Sequence, residues 1–205
     1  WLHAIPRDLA PTDLFRPYVE DVDERVGALA LTCRRAARHG VGVWLYLNEP
    51  LSFDADHRFW SDHPECRGIR HQWGLPGWPE RVAMCTSAEP VKGFLKNASA
   101  ELFRRVEGLA GLLVVTAAEH QTSCYSHVAT HGPGWWGEPR LEQTCPRCRA
   151  RRPADVITEI VRLLHQGMRA SAPSAKLVAW SWRWIIHYAD PQEEIISDLP
   201  DDVLL

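Results

Sequence analysis

Short apolar runs alternate with helix-period stripes along this chain, the pattern of repeated βα units around a parallel sheet. Val22, Val26, Leu29, Ala30 and Cys33 form the first stripe and predict a helix that stops at His39-Gly40. Val41-Gly42-Val43-Trp44-Leu45-Tyr46-Leu47 follows as a buried strand. A long Trp-rich loop leads to a second apolar run, Val82-Ala83-Met84-Cys85, and then to a helix carrying Val91, Leu95, Leu102, Phe103 and Val106. Leu112-Leu113-Val114-Val115-Thr116 predicts the next strand. Another long loop ends at Pro153, which suits a first helical turn, and the stripe Val156, Ile160, Val161, Leu164 and Met168 follows. Pro173 closes that helix, and Lys176-Leu177-Val178-Ala179-Trp180 reads as a strand. With a strand remnant near Leu2–Ile5 this makes five strands, and a sixth begins at Val203.

An open doubly wound sheet fits such alternation too, but the loops distinguish the two. Long segments follow the strands, whereas the turns that lead into them, such as His39-Gly40, are short. Barrel enzymes build their sites on the long loops at strand C-termini, so the expected fold is α/β, a (β/α)8 TIM barrel. A complete barrel takes about 250 residues, against 205 here. The chain opens on Trp1 without Met and stops at Val203-Leu204-Leu205. The expectation is one partial barrel domain over residues 1–205, covering strands one to five or six and needing the remainder of the barrel as partner.

Charge and composition narrow the function. No run approaches the roughly 18 apolar residues of a membrane-spanning helix. The net charge of −3 comes with no Lys/Arg-rich face, which argues against nucleic acid. Tryptophan is abundant, ten residues against five Phe and four Tyr, and Trp73, Trp78, Trp135 and Trp136 sit in Gly/Pro-rich sequence. Flat indoles in loops suit the C–H faces of sugars, although they also serve to cover long loops.

The residues ending the strands are Arg7-Asp8, Asn48-Glu49-Pro50, Cys85-Thr86-Ser87, Glu119-His120 and Ser181-Trp182. Glycoside hydrolysis needs one carboxylic acid to protonate the leaving oxygen and a second group to attack or stabilise the anomeric carbon. Glu119, at the end of the fourth predicted strand, is the first candidate for the acid, partly buried among Tyr125, Trp182 and Trp135 or Trp136. Glu49 is its rival or a substrate-binding partner. The ordinary alternative for each is an ion pair or a carboxylate at a helix N-terminus. Substrate contacts fall to Arg7, Asn48, His120, Trp135, Trp136 and Trp182. Trp180, Trp182 and Trp184 alternate, so a strand that ends near Trp180 would free Trp182 as a sugar platform.

This succession, from Arg7 and Asn48-Glu49-Pro50 through Cys85-Thr86-Ser87 and Thr116-Ala117-Ala118-Glu119-His120 to Trp180-Ser181-Trp182, resembles the catalytic barrel of glycoside hydrolase family 20-like proteins. It looks closest to bacterial members that carry a Cys-Pro-x-Cys loop. The resemblance implies a hexosaminidase-like exo-enzyme in which Glu119 matches the acid and Arg7 a sugar-hydroxyl-binding arginine. Family 20 enzymes place an Asp before the acid to orient the substrate's acetamido group, and here that position is Ala118. A nucleophile on a later strand would replace acetamido assistance. Two other functions stay open: a non-catalytic carbohydrate-binding barrel, and a barrel hydrolase with an open zinc held by His120, His127 and cysteines.

Six cysteines divide unevenly. Cys33 lies on an apolar helix face as a small core residue, and Cys66 has no obvious partner. Cys145-Pro146-Arg147-Cys148 is a knuckle whose two thiolates can share a metal. Cys124 and Cys85 complete a closed four-cysteine site for a structural zinc, with His120 or His127 as substitutes for Cys85. A disulfide and free thiols are the competing states; zinc would point to a bacterial cytoplasm and a disulfide to export. No organic cofactor is implied.

Overall fold

The computed structural model describes residues 1–71, 79–117, 120–128, 130–131 and 145–205. In chain order the elements are β1 (Leu2–Ala4), α1 (Pro6–Leu9), α2 (Val22–Ala37), β2 (Val43–Leu47), β3 (Phe53–Asp54), α3 (Phe59–Asp62) and β4 (Arg67–His71). They continue with β5 (Arg81–Met84), α4 (Glu89–Arg105), β6 (Leu109–Val115), α5 (Pro146–Arg149), α6 (Pro153–Ser171), β7 (Lys176–Trp180) and α7 (Glu193–Ile196).

Four strands form one parallel sheet in the order β1-β2-β6-β7, which is their order along the chain. Among the described residues the order does not reverse, whereas a doubly wound sheet reverses at its switch point. Leu45, Leu112 and Leu177 lie abreast, as do Leu47, Val114 and Ala179, and all six are buried. Tyr46, Leu113 and Val178 form the intervening row, facing the other way and only half-buried. A parallel bridge joins Val178 to Leu204, so residues near the predicted strand start at Val203 do add to the free edge of β7.

One predicted strand belongs elsewhere. Val82–Cys85 is not a member of the parallel sheet. β5 pairs antiparallel with both β3 and β4 in a separate three-stranded sheet between β2 and α4. The error has a physical origin: Val82, Ala83 and Met84 are buried because β5 is the middle strand of that small sheet, and burial on both faces gives the same continuous apolar run as a barrel strand. The described parallel strands therefore number four, with a fifth begun at Leu204, and the segment after β6 follows the third strand rather than the fourth.

The helices carry the stripes that the sequence predicts. α2 buries Val26, Leu29, Ala30 and Cys33, and Gly40 closes the segment after it at φ +70°, a conformation that favours glycine. α4 and α6 meet closely because Gly167 has no side chain. A Cβ there would stand 2.0 Å from the Lys96 carbonyl oxygen. Beside it Ser99 Oγ donates to the Leu164 carbonyl at 2.7 Å, satisfying a hydroxyl buried between the two helices. These stripes and the buried rows of the sheet form one continuous apolar cluster. No helix among the described residues is long and apolar enough to cross a membrane.

Candidate functional site

Because the sheet is parallel, the C-terminal ends of its strands share one edge. Chain leaves that edge at Ile5, Asn48, Thr116 and Ser181. Arg7 stands in α1, immediately past β1. Its Nη1 donates to the Leu51 carbonyl at 2.6 Å, and its guanidinium lies 4.0 Å from the centre of the Phe53 ring. Burial lowers the Arg7 pKa, while nearby Glu49 opposes that shift.

Glu49 is the most perturbed carboxyl described. It is 1% exposed. Its Oε2 accepts from the Leu51 N–H at 3.2 Å, and Oε1 has no hydrogen-bond partner among the described residues. Loss of water raises its pKa to about 8, against the opposing pull of Arg7 and the Leu51 N–H. A carboxyl with that value is mostly protonated at pH 7 and can donate a proton. Asn48 Oδ1, Ser52 Oγ and Thr86 Oγ1 are likewise buried without partners among the described residues. Unpaired polar atoms buried away from water are costly, and their concentration after β2 and β5 marks places where a polar ligand would be well received. The Ser52 N–H donates to the Gln121 carbonyl at 3.0 Å, tying the loop after β2 to the segment after β6.

The Glu49 shift has a stability consequence. A carboxyl whose folded pKa lies above its unfolded value of about 4.5 carries no penalty below that value and destabilises increasingly as pH rises toward about 8. Glu49→Gln should remove this slope, leaving the variant more stable than the parent at pH 8 by on the order of 3–5 kcal/mol. Urea denaturation from pH 4.5 to 8.5 measures it; parallel curves for both proteins would contradict the neutral carboxyl.

The remaining predicted contacts are placed unequally. His120 is exposed. Trp182 is 41% exposed and packs edge-on against Trp180, their ring centres 5.3 Å apart. Trp184 is instead fully buried, its indole N–H donating to Thr116 Oγ1 at 2.9 Å. The strand does end at Trp180, leaving Trp182 accessible. Glu119, its neighbour Ala118, and Trp73, Trp78, Trp135 and Trp136 lie outside the described residues. Tyr125 does not stand open at the rim: it is buried, with its hydroxyl 3.1 Å from the Cys148 carbonyl and 2.9 Å from that of Arg151.

Tyr125 thus braces the cysteine centre. The sulfurs of Cys85, Cys124, Cys145 and Cys148 all lie within 4.8 Å of one another. Cys85 to Cys145 is 3.5 Å, Cys85 to Cys148 3.6 Å and Cys124 to Cys145 3.4 Å. A tetrahedron of sulfurs about 2.3 Å from a central ion has edges of about 3.8 Å. A disulfide needs about 2.05 Å, and all six cysteines are free thiols. Cys85 is the partner of the other three, and His127, buried, is not in the group. Cys66 accepts the Cys85 N–H on its carbonyl at 2.8 Å, but its thiol stays outside, pushed up to about 12 by burial.

Four thiols this close cannot all ionise without a cation. Hydrogen bonds from Cys124, then Cys145 and Cys148, hold Cys85 far below the ordinary thiol range, while contacts with Cys145, then Cys148 and Cys85, push Cys124 up. A divalent ion would take over the role of the shared protons. Four sulfurs fill a tetrahedral shell and leave no position for water, so such an ion would be structural and not catalytic.

Gly68 is a requirement that sequence inspection missed. It sits in β4 against the centre, and a Cβ there would come within 2.6 Å of both Cys124 Sγ and the Ala83 carbonyl oxygen. Gly68→Ala should cost roughly 1–3 kcal/mol of stability through overpacking and weaken metal retention. Urea denaturation and chelator competition read the two effects; an unaltered protein by both measures would refute the close approach.

No protein-family model matches this chain, and no curated protein is similar to it. Several solved structures resemble it, three α-galactosidases among them. One is the α-galactosidase of Lactobacillus brevis, 13% identical with a TM-score of 0.45, covering 78% of this chain and 20% of its own. The second, an α-galactosidase of Thermus thermophilus in complex with p-nitrophenyl α-D-galactopyranoside, is 19% identical with a TM-score of 0.39, covering 74% and 26%. The third is a family 36 α-galactosidase variant from Geobacillus stearothermophilus in complex with stachyose, 14% identical with a TM-score of 0.39, covering 72% and 18%. This chain therefore spans about a quarter or less of the length of each.

Proposed function

We propose that this chain is the wall and part of the rim of a (β/α)-barrel glycoside hydrolase, with Glu119 as general acid and Glu49 as the second carboxyl of the site. One observation carries the reading: Glu49, sealed from water beside Arg7 at the C-terminal edge of a parallel strand, has its pKa raised to about 8. Barrel enzymes gather their chemistry at that edge, and a second carboxyl kept neutral near pH 7 can donate a hydrogen bond to a bound sugar while Glu119 supplies the acid proton. β2 and β6 are adjacent strands, so the chain following each leaves the sheet side by side. Trp182 supplies an accessible indole on the same edge. The sugar class is hexosamine-like by resemblance to family 20, with Ala118 requiring a nucleophile other than an Asp-oriented acetamido group.

Hydrolysis of a panel of nitrophenyl glycosides by the full-length protein, N-acetylhexosaminides and galactosides included, tests this. Turnover that is lost on replacing Glu119 supports it. Saturable sugar binding with no turnover on any member would replace it with a non-catalytic carbohydrate-binding barrel, the reading that Ala118 favours. The ion of the cysteine centre is zinc in this proposal, since four thiolates in a closed tetrahedron suit its lack of geometric preference and of redox chemistry.

A further inference from the structure

The surroundings of the cysteine centre say how an ion there would be held. Cys148 Sγ lies 3.3 Å from Ser87 Oγ, and Arg151 Nη1 donates to that same hydroxyl oxygen at 2.8 Å. A guanidinium only donates, so it occupies a lone pair of Ser87 and leaves the hydroxyl proton to be given elsewhere. The sulfur of Cys148 stands where that proton can go. The backbone N–H of Ser87 reaches Cys85 in turn, so one residue serves two of the four sulfurs. Arg151 is itself anchored: Nη1 is 2.8 Å from Glu159 on α6, and Glu159 is 3.2 Å from Lys92 on α4. A second cation, Arg147, sits between the knuckle cysteines, donates to the Arg67 carbonyl at 3.0 Å and faces Cys85 and Cys145.

We propose that Ser87, oriented by Arg151, is a positioning residue for a divalent metal ion at the cysteine centre, donating its hydroxyl to the Cys148 thiolate. This rests on the four sulfurs binding an ion. Four thiolates around a dication leave two excess negative charges in a largely buried place. Hydrogen bonds to sulfur and the charges of Arg147 and Arg151 offset them. The chain Ser87–Arg151–Glu159–Lys92 also fastens the centre to the helix pair α4 and α6.

Outer donors of this kind typically account for about 10–100-fold in metal affinity. Zinc affinity by chelator competition, together with the absorption spectrum of the cobalt(II)-loaded protein, provides the test. Ser87→Ala should weaken zinc by about 10–100-fold, and Ser87→Thr, which keeps the hydroxyl, should restore most of it. The sulfur-to-cobalt charge-transfer bands should move to lower energy in Ser87→Ala, because a thiolate relieved of its hydrogen bond gives up an electron more readily. Arg151→Met, which leaves Ser87 in place, should weaken zinc in the same direction and serves if Ser87→Ala fails to fold. Zinc affinity and charge-transfer bands unmoved in both variants would overturn the role of Ser87. A parent protein that takes up neither zinc nor cobalt would instead remove the ion, and the role with it.

Discussion

Stripping the metal with a chelator, or replacing Cys145 by serine, should drop the melting temperature by about 8–16 °C. A ligand present at about a thousand times its Kd stabilises the folded state by about 4 kcal/mol, and each kcal/mol moves the midpoint by about 2–4 °C for a chain of this size. The effect is large because the centre staples three separate stretches: Cys85 just past β5, Cys124 in the segment after β6, and the Cys145–Cys148 knuckle at α5. Without an ion, thiols at 3.4–3.6 Å separations can be held only by sharing protons. Elemental analysis finding no zinc in purified protein, or a Cys145–Cys148 disulfide on mass mapping, would end the metal reading. An unchanged melting curve after chelation would leave the ion without a structural role.

The second large effect concerns turnover. Glu119→Gln keeps the side-chain shape and removes the acidic proton, so it should cost at least about a hundredfold on an unactivated glycoside. A substrate with a good leaving group needs little protonation and should lose far less. Glu49→Gln should behave differently. If Glu49 acts as a neutral hydrogen-bond donor, an amide retains that donor, and turnover should stay within a few-fold while the pH slope of stability disappears. Should Glu49→Gln instead show the leaving-group-dependent loss and Glu119→Gln none, the acid is Glu49. Equal loss on both kinds of substrate would indicate binding rather than proton transfer.

Elements with strong local periodicity were legible in the chain itself. α2, α4 and α6 lie on their predicted stripes, and β2, β6 and β7 on their apolar runs, because a 3.6-residue or continuous apolar pattern depends only on neighbours in sequence. The knuckle Cys145-Pro146-Arg147-Cys148 is legible for the same reason, and the places of Cys85 and Cys124 near predicted strand ends point to them as its partners. The Asn48-Glu49 pair could be seen as the end of a strand.

Tertiary structure decided the rest, since each remaining point depends on what lies across space. A buried apolar strand carries no mark of its hydrogen-bond partners, so the sequence of Val82–Cys85 reads as a barrel strand although β3 and β4 flank it in the fold. That reassignment makes β6, which precedes Glu119 in the sequence, the third parallel strand rather than the fourth. The choice of Cys85 over His127, the exclusion of Cys66 and the need for a bare Cβ position at Gly68 all arise from distances between segments remote in sequence. Glu49 is a common carboxylate in the sequence. It becomes a neutral acid because surrounding chain removes its water, and desolvation belongs to the assembled fold rather than to any stretch of residues.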